Sequence, residues 1–267
     1  MADNGYSVID TSTVPWEPYA IGNSMRKVLD LDDGTGGCVL LLYFPPGGEP
    51  VRRQLHLTVR ETFFWLYGDF PFWEYDSPTD LDGHVVVYRR GTFMDRWPRS
   101  IHGRKPQPGS RTGSEFLIWT SGGGDFETDA DESIQIPFSP DPGDFGDTFT
   151  SPIIIESDSL PWSPHPQAAG LLQRTLDTGT GDASRYPISL VQIPPGWTST
   201  GNLSPALRRC WVYGVHGSVG AMFDGVGVQI SEGGFARWDA GTSVQFAPEP
   251  SDGGCTLLCV GHALDVL

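Results

Sequence analysis

The sequence predicts an all-β protein made of two tandem modules, each a sandwich or a jelly-roll barrel, and three observations carry that expectation. The 34 Gly and 23 Pro among 267 residues disfavour helix interiors. Apolar residues fall in short β-branched and aromatic runs bounded by turn-forming residues, as in strands joined by tight connections. The chain also repeats itself, which points to two copies of one module.

In chain order, the first copy opens with Val14-Pro15-Trp16-Glu17-Pro18. Its first clear strand is the apolar run Cys38–Phe44, closed by Pro45-Pro46-Gly47. Thr62–Tyr67 follows and ends at Gly68. His84–Tyr88 carries three consecutive valines, and Phe116–Thr120 closes the copy. The second copy opens with Leu160-Pro161-Trp162-Ser163-Pro164, and Gln173-Arg174-Thr175-Leu176-Asp177 matches Arg26-Lys27-Val28-Leu29-Asp30. Ile188–Ile193, closed by Pro194-Pro195-Gly196, matches the Pro-Pro-Gly end of the first strand. Cys210–Val215, Gly220–Phe223 and Cys255–Gly261 supply its remaining strands. The expected organisation is a barrel over 1–124, an acidic Pro/Gly-rich linker over 125–150, and a second barrel over 151–267. Long helices are not expected.

The formal charge of −16 excludes nucleic acid and anionic membrane surfaces as partners. The charge is uneven. Residues 52–111 hold ten of the seventeen bases, whereas 122–160 hold ten acids and no base. Most of those arginines read as solvated strand faces. Arg53 and Arg60 are candidates for holding an anionic small molecule, because guanidinium meets a carboxylate as a bidentate fork. The four cysteines form no Cys-x2-Cys pair, and Cys255 and Cys259 would lie about 13 Å apart on one strand, too far to bridge. All four read as small apolar residues in a reducing compartment. With no apolar signal core and no run of eighteen apolar residues, a cytoplasmic location is expected.

One cluster carries chemistry. Gly48-x5-Gln54-x-His56-x4-Glu61-x6-Gly68 is followed, some forty residues on, by Gly91 and then Pro98-x3-His102. Gln54 and His56, two apart, share a strand face. Glu61 can return to that face after a bend, and His102 from another strand would close the set. Such an N/O set suits Fe(II) or Zn, with Mn, Ni or Co as further options. Phe63, Trp65 and Tyr67 fall on the Glu61 side of a regular strand and are candidates for an aromatic pocket wall.

These motifs resemble the two signature motifs of the cupin superfamily, and the duplication resembles a bicupin. The opening Pro-Trp and the Pro-Pro-Gly turn are similar to bacterial bicupins related to anti-sigma-factor cupins. The first motif keeps every spacing but has Gln54 where His is usual. The second, normally Pro-x-Gly-x2-His, is one residue shorter and lacks its glycine. The resemblance implies Gln54, His56, Glu61 and His102 as ligands of a divalent metal. It also implies a metal-dependent enzyme for a small anionic or carbonyl-containing substrate, foremost a dioxygenase, with Glu61 as a candidate general base. An isomerase or lyase, or a ligand-sensing bicupin without turnover, are the alternatives, and cupins often form homodimers. In the second copy Leu203, Pro205, Cys210 and Val244 stand at the four ligand positions, so that copy is expected to hold no metal.

Overall fold

In a computed structural model the described residues form β-strands and two short 3₁₀ turns, with no α-helix among them. These are residues 5–19, 23–31, 37–47, 54–56, 59–77, 80, 82–103, 110–120, 133–135, 151–166, 168–176, 187–197, 209–247 and 254–261. The first strands are β1 (Tyr6–Asp10), β2 (Glu17–Pro18), β3 (Met25–Leu31), β4 (Cys38–Phe44) and β5 (Gln54–His56). Next come β6 (Glu61–Glu74), β7 (His84–Arg89), β8 (Thr92–Arg96), β9 (Ser114–Thr120) and β10 (Ser133–Gln135). Then follow β11 (Ile153–Glu156), β12 (Ser163–Pro164), β13 (Leu172–Thr175), β14 (Ile188–Ile193) and β15 (Cys210–Phe223). The chain closes with β16 (Val226–Ser231), β17 (Gly234–Trp238), β18 (Val244–Ala247) and β19 (Cys255–Val260).

The chain divides into two compact units, Pro15–Ser157 and Met1–Val14 with Asp158–Leu267, called here the first and second units. In the first, the strand order is β11-β8-β6-β9-β4-β3-β2, with β7 on β6 and a separate β10–β5 pair. In the second it is β1-β17-β15-β19-β14-β13-β12, with β16 and β18 on β15. Both are antiparallel jelly-roll arrangements running from edge to edge. The units do not divide at the sequence boundaries expected above. β11 pairs with β8, so residues up to Ser157 fall in the first unit; β1 pairs with β17, so the N-terminus falls in the second. The acidic stretch 125–150 also contributes to structure, since β10 is part of it.

Each unit is organised by one long bent strand of 14 residues, β6 or β15. Both are bulged at matching places, between Trp65 and Tyr67 and between Gly214 and His216. A bulge shifts the alternation by one residue. Glu61, Phe63 and Trp65 therefore face the interior before it, and Phe70, Phe72 and Glu74 after it. Just past the bulge, Gly68 has φ of +76° and a Cβ there would lie 1.8 Å from the Gly113 carbonyl oxygen. Gly217 occupies the same situation beneath Gly254. Only glycine permits that approach. The bulged strand also explains why Cys210–Val215 and Gly220–Phe223, expected as separate strands, are one.

The interior of the first unit is lined by β4, β6 and β9 through Leu40, Leu42, Phe44, Trp65, Phe116 and Ile118. The second is lined by Val191, Val212, Phe223, Trp238, Phe246 and Leu257. Each of these side chains contributes roughly 1.5–3 kcal/mol by leaving water. The four cysteines are buried and lie outside any disulfide. Burial pushes the Cys255 thiol up to about 12, which suits a small apolar filler. No helix among the described residues is long and apolar enough to cross a membrane.

Candidate metal centre

Three strands and one turn assemble the site. His56 ends β5, Glu61 begins β6, and His102 follows the turn after β8. In that turn Arg99 adopts φ of +69°, three residues before His102, where the related motif has glycine. The left-handed residue turns its N–H toward β5, donating to the His56 carbonyl oxygen at 2.6 Å. The two histidine-bearing segments are thus joined through backbone.

The ligand-type atoms converge. His56 Nε2 lies 3.5 Å from Glu61 Oε1, and His102 Nε2 lies 3.9 Å from Glu61 Oε2. The imidazoles stack with centroids 5.3 Å apart. One donor atom from each of the three residues falls within 4.8 Å of the others. One cation bonded at about 2.1 Å spans donors up to about 4 Å apart, close to this size. His102 Nδ1 lies 3.1 Å from the Ser100 carbonyl oxygen, to which it must donate, so the neutral ring keeps its lone pair on Nε2. Burial, with the charges of Arg96 and His56, holds the His102 pKa well below the ordinary histidine value. A neutral imidazole oriented by a second hydrogen bond is the form that ligates metal. The donor set therefore fits a borderline divalent cation.

A second layer surrounds Glu61. Arg96, directly across from it in the register, donates from Nη1 to Glu61 Oε2 at 3.3 Å and from Nη2 to Glu74 Oε1. Tyr88 donates its hydroxyl to the same Glu74 oxygen at 2.6 Å. The Arg96 guanidinium carbon lies 5.6 Å from the Phe63 ring centre and 5.5 Å from that of Phe72, a cation–π arrangement. Burial opposes charge on Arg96, but Glu74 and Glu61 outweigh it and raise its pKa. Burial raises the pKa of Glu74 against the pull of Arg96. The effect is a rigid carboxylate: Glu61 is gripped from behind while its other oxygen faces His56.

Glu61, Tyr88, Arg96 and His102 line one part of a cavity. The other walls are apolar, chiefly Phe63, Trp65, Phe70, Phe72 and Phe116. A few polar groups on an apolar wall is the usual composition of a small-molecule site.

The structure brings together His56, Glu61, His102, Phe63 and Trp65. Tyr67 is elsewhere: a regular strand would keep it beside Glu61, but the bulge turns it outward, 57% exposed. Arg60 is also elsewhere. As the neighbour of Glu61 it faces the opposite side, where its fork grips Asp95 at 2.6 and 2.7 Å and its guanidinium lies over Trp97. Its charge is already matched, and it does not line the cavity. Gln54 is placed in β5 by its backbone, but its side chain lies outside the described residues, as does all of Arg53. Arg96, Glu74 and Tyr88 are additions the sequence did not suggest. The missing signal was the register that pairs Arg96 with Glu61 and the bulge that returns Glu74 to the inside.

The second unit has the same frame with different contents. The pairings Cys210↔Trp238 and Phe223↔Val244 correspond to Glu61↔Arg96 and Glu74↔His102, and Val219↔Ile230 to Phe70↔Tyr88. Where the first unit buries Glu61, Arg96, Glu74, Tyr88 and His102, the second buries Cys210, Trp238, Phe223, Ile230 and Val244. His216 is 67% exposed in its side chain and pairs with Glu232 at 3.2 Å.

No protein-family model matches this sequence, and no curated protein does. Solved structures match along nearly the whole chain. A candidate dioxygenase from Nostoc punctiforme aligns with a TM-score of 0.71 at 13% identity, covering 99% of this chain and 85% of its own. A candidate glyoxylate-induced protein from Pseudomonas aeruginosa gives 0.65 at 11% identity, covering 97% and 88%. Oxalate decarboxylase from Bacillus subtilis gives 0.62 at 12% identity, covering 95% and 76%. These are cupin-fold proteins. At such identities the likeness establishes that this chain has the cupin fold and leaves its chemistry to its own residues.

Proposed function

We propose that the first unit is a metal-dependent centre in which His56, Glu61 and His102 hold a divalent cation, Fe(II) or Zn foremost. Gln54 is the proposed fourth ligand on its spacing alone. The observation that carries this reading is the convergence of two imidazole nitrogens and a carboxylate from three buried residues, two of which line the cavity. The second unit supports it, because an apolar set fills the same frame there. Buried ionic networks are often matched or exceeded in stability by hydrophobic replacements, so the network is not needed for the fold.

Bound there, the cation would act as a Lewis acid with open positions for an oxygen-bearing small molecule. Around it, His102 is fixed through its Nδ1–H, Arg96 steadies Glu61, and the aromatic wall keeps bulk water away. Within this reading an oxygenase is the leading activity, in line with the name of the Nostoc neighbour. The oxalate decarboxylase neighbour favours a lyase as the second reading. The tandem arrangement is read as a bicupin of the anti-sigma-related type. Four buried thiols outside any disulfide favour a reducing, cytoplasmic setting, and a homodimer is part of the same proposal.

The experiment is elemental analysis of the purified protein after anaerobic loading with iron, zinc, manganese or nickel. One metal per chain is expected in the wild type, with loss of most of it in His56→Ala and in His102→Ala. Oxygen uptake by the iron form, followed with an electrode against carbonyl acids, then separates oxygenase from lyase. Full metal content in both variants would remove the proposed centre.

A further inference from the structure

Two residues that line the cavity, Trp65 and Arg96, each carry a buried N–H with no acceptor among the described residues. Trp65 is 1% exposed and the Arg96 side chain 3% exposed. Among the described residues neither the indole Nε1–H of Trp65 nor the Nε–H of Arg96 has a hydrogen-bond partner. Buried donors nearly always find acceptors, and leaving one unmade is unfavourable. Trp238 in the second unit has a lone indole N–H as well, so one such donor does not define a site. Trp65 differs in lining a cavity that a second lone donor, on a cation, also lines.

The rest of the wall sets the body of the ligand. Phe70 packs at 5.3 Å from Phe72 and 5.6 Å from Phe116, with Phe63 5.6 Å from Trp65. Rings at such separations accept another ring edge-on or offset, and they offer no partner to a second charged group. A short diacid would leave one carboxylate unpaired among them.

We propose that this cavity binds a small aromatic carboxylic acid, whose oxygens accept from Arg96 Nε–H and Trp65 Nε1–H while its ring packs among Phe63, Phe70, Phe72 and Phe116. The inference deepens the metal reading above. It rests on that reading where the cation at His56, Glu61 and His102 offsets the carboxylate charge beside the incoming anion.

The test is titration calorimetry on the whole protein, loaded with zinc or stripped with EDTA, with benzoate, oxalate and benzyl alcohol as probes. Zinc content is measured on the same samples. Benzoate is expected to bind one per chain, about tenfold or more tighter than either control. Trp65→Phe keeps an aromatic ring and removes the donor, and should weaken benzoate about five- to tenfold while leaving zinc content unchanged. Oxalate binding as tight as benzoate, absence of benzoate binding, or an unchanged affinity in Trp65→Phe overturns the inference. Zinc uptake without benzoate binding removes this inference alone. Benzoate binding without zinc uptake removes the metal reading and leaves the aromatic-acid site standing.

Discussion

Arg99 is one of two described non-glycine residues with positive φ, and its position is what brings His102 back toward His56. A left-handed conformation costs an L-residue about 1–2 kcal/mol, while glycine has a larger unfolded-state entropy to lose. Arg99→Gly should therefore stabilise the protein by about 0.5–1 kcal/mol, read as a shift in urea midpoint. Destabilisation instead would show that the Arg99 side chain contributes more than the backbone strain. At this scale legibility was divided by a simple rule. His56, Glu61 and His102 could be singled out because their spacing from the flanking Gly48, Gly68 and Pro98 is written in the sequence itself. Arg96 and Glu74 could not, since they reach Glu61 only through cross-strand register and a bulge, and neither leaves a local mark. The same bulge moved Tyr67 out of the wall that alternation had given it, and the register gave Arg60 to Asp95.

At the scale of elements, β5 is the weak member of the site. It has three residues, belongs to neither large sheet, and its strand partner is β10. The register sets Ser133 opposite His56, Ile134 opposite Leu55 and Gln135 opposite Gln54. A segment whose acidity and Pro/Gly content read as linker therefore braces a ligand-bearing strand. The acidity was visible in the sequence, but a three-residue strand carries too little periodicity to be seen. Proline cannot donate to a ladder, so Ile134→Pro should loosen β5. Metal affinity is expected to fall about tenfold or more, the order seen when groups supporting metal ligands are lost, with thermal stability nearly unchanged. Competition with a chromogenic chelator measures it; unaltered affinity would show that Arg99 alone positions His56. Other elements were fixed by packing that both copies keep. Lys27 lies 4.5 Å from the centre of Trp16, and Arg174 lies 4.4 Å from that of Trp162, so the Pro-Trp opening of each copy receives a cation from the strand beside it.

For the whole molecule, the duplication acts as an internal control. Two units of one topology hold, at matching positions, an ionic network in one and an apolar core in the other. Stability alone gives no reason to retain Glu61, Arg96 and Glu74, because the second unit reaches the same fold without them. The two halves also trade their leading strands: β1 completes the edge of the second unit on β17, and β11 that of the first on β8. Strands before each Pro-Trp opening are thus part of the repeat, and Val8-Ile9-Asp10-Thr11 aligns with Ile154-Ile155-Glu156-Ser157 at the same offset as Val14 and Leu160. The exchange makes the units separable by experiment. Removing residues 1–10 uncovers β17 and takes away Tyr6, which stacks on the fully buried Phe223 at 4.9 Å. Loss of one strand ladder and its packed side chains should cost the second unit on the order of 2–4 kcal/mol. Denaturant unfolding should then split, with an early transition from the second unit and an unshifted later one. Metal content should remain at its wild-type level, because every proposed ligand belongs to Pro15–Ser157. Metal loss in parallel with the early transition would mean that the centre depends on the second unit, and that the two barrels do not divide scaffold from chemistry.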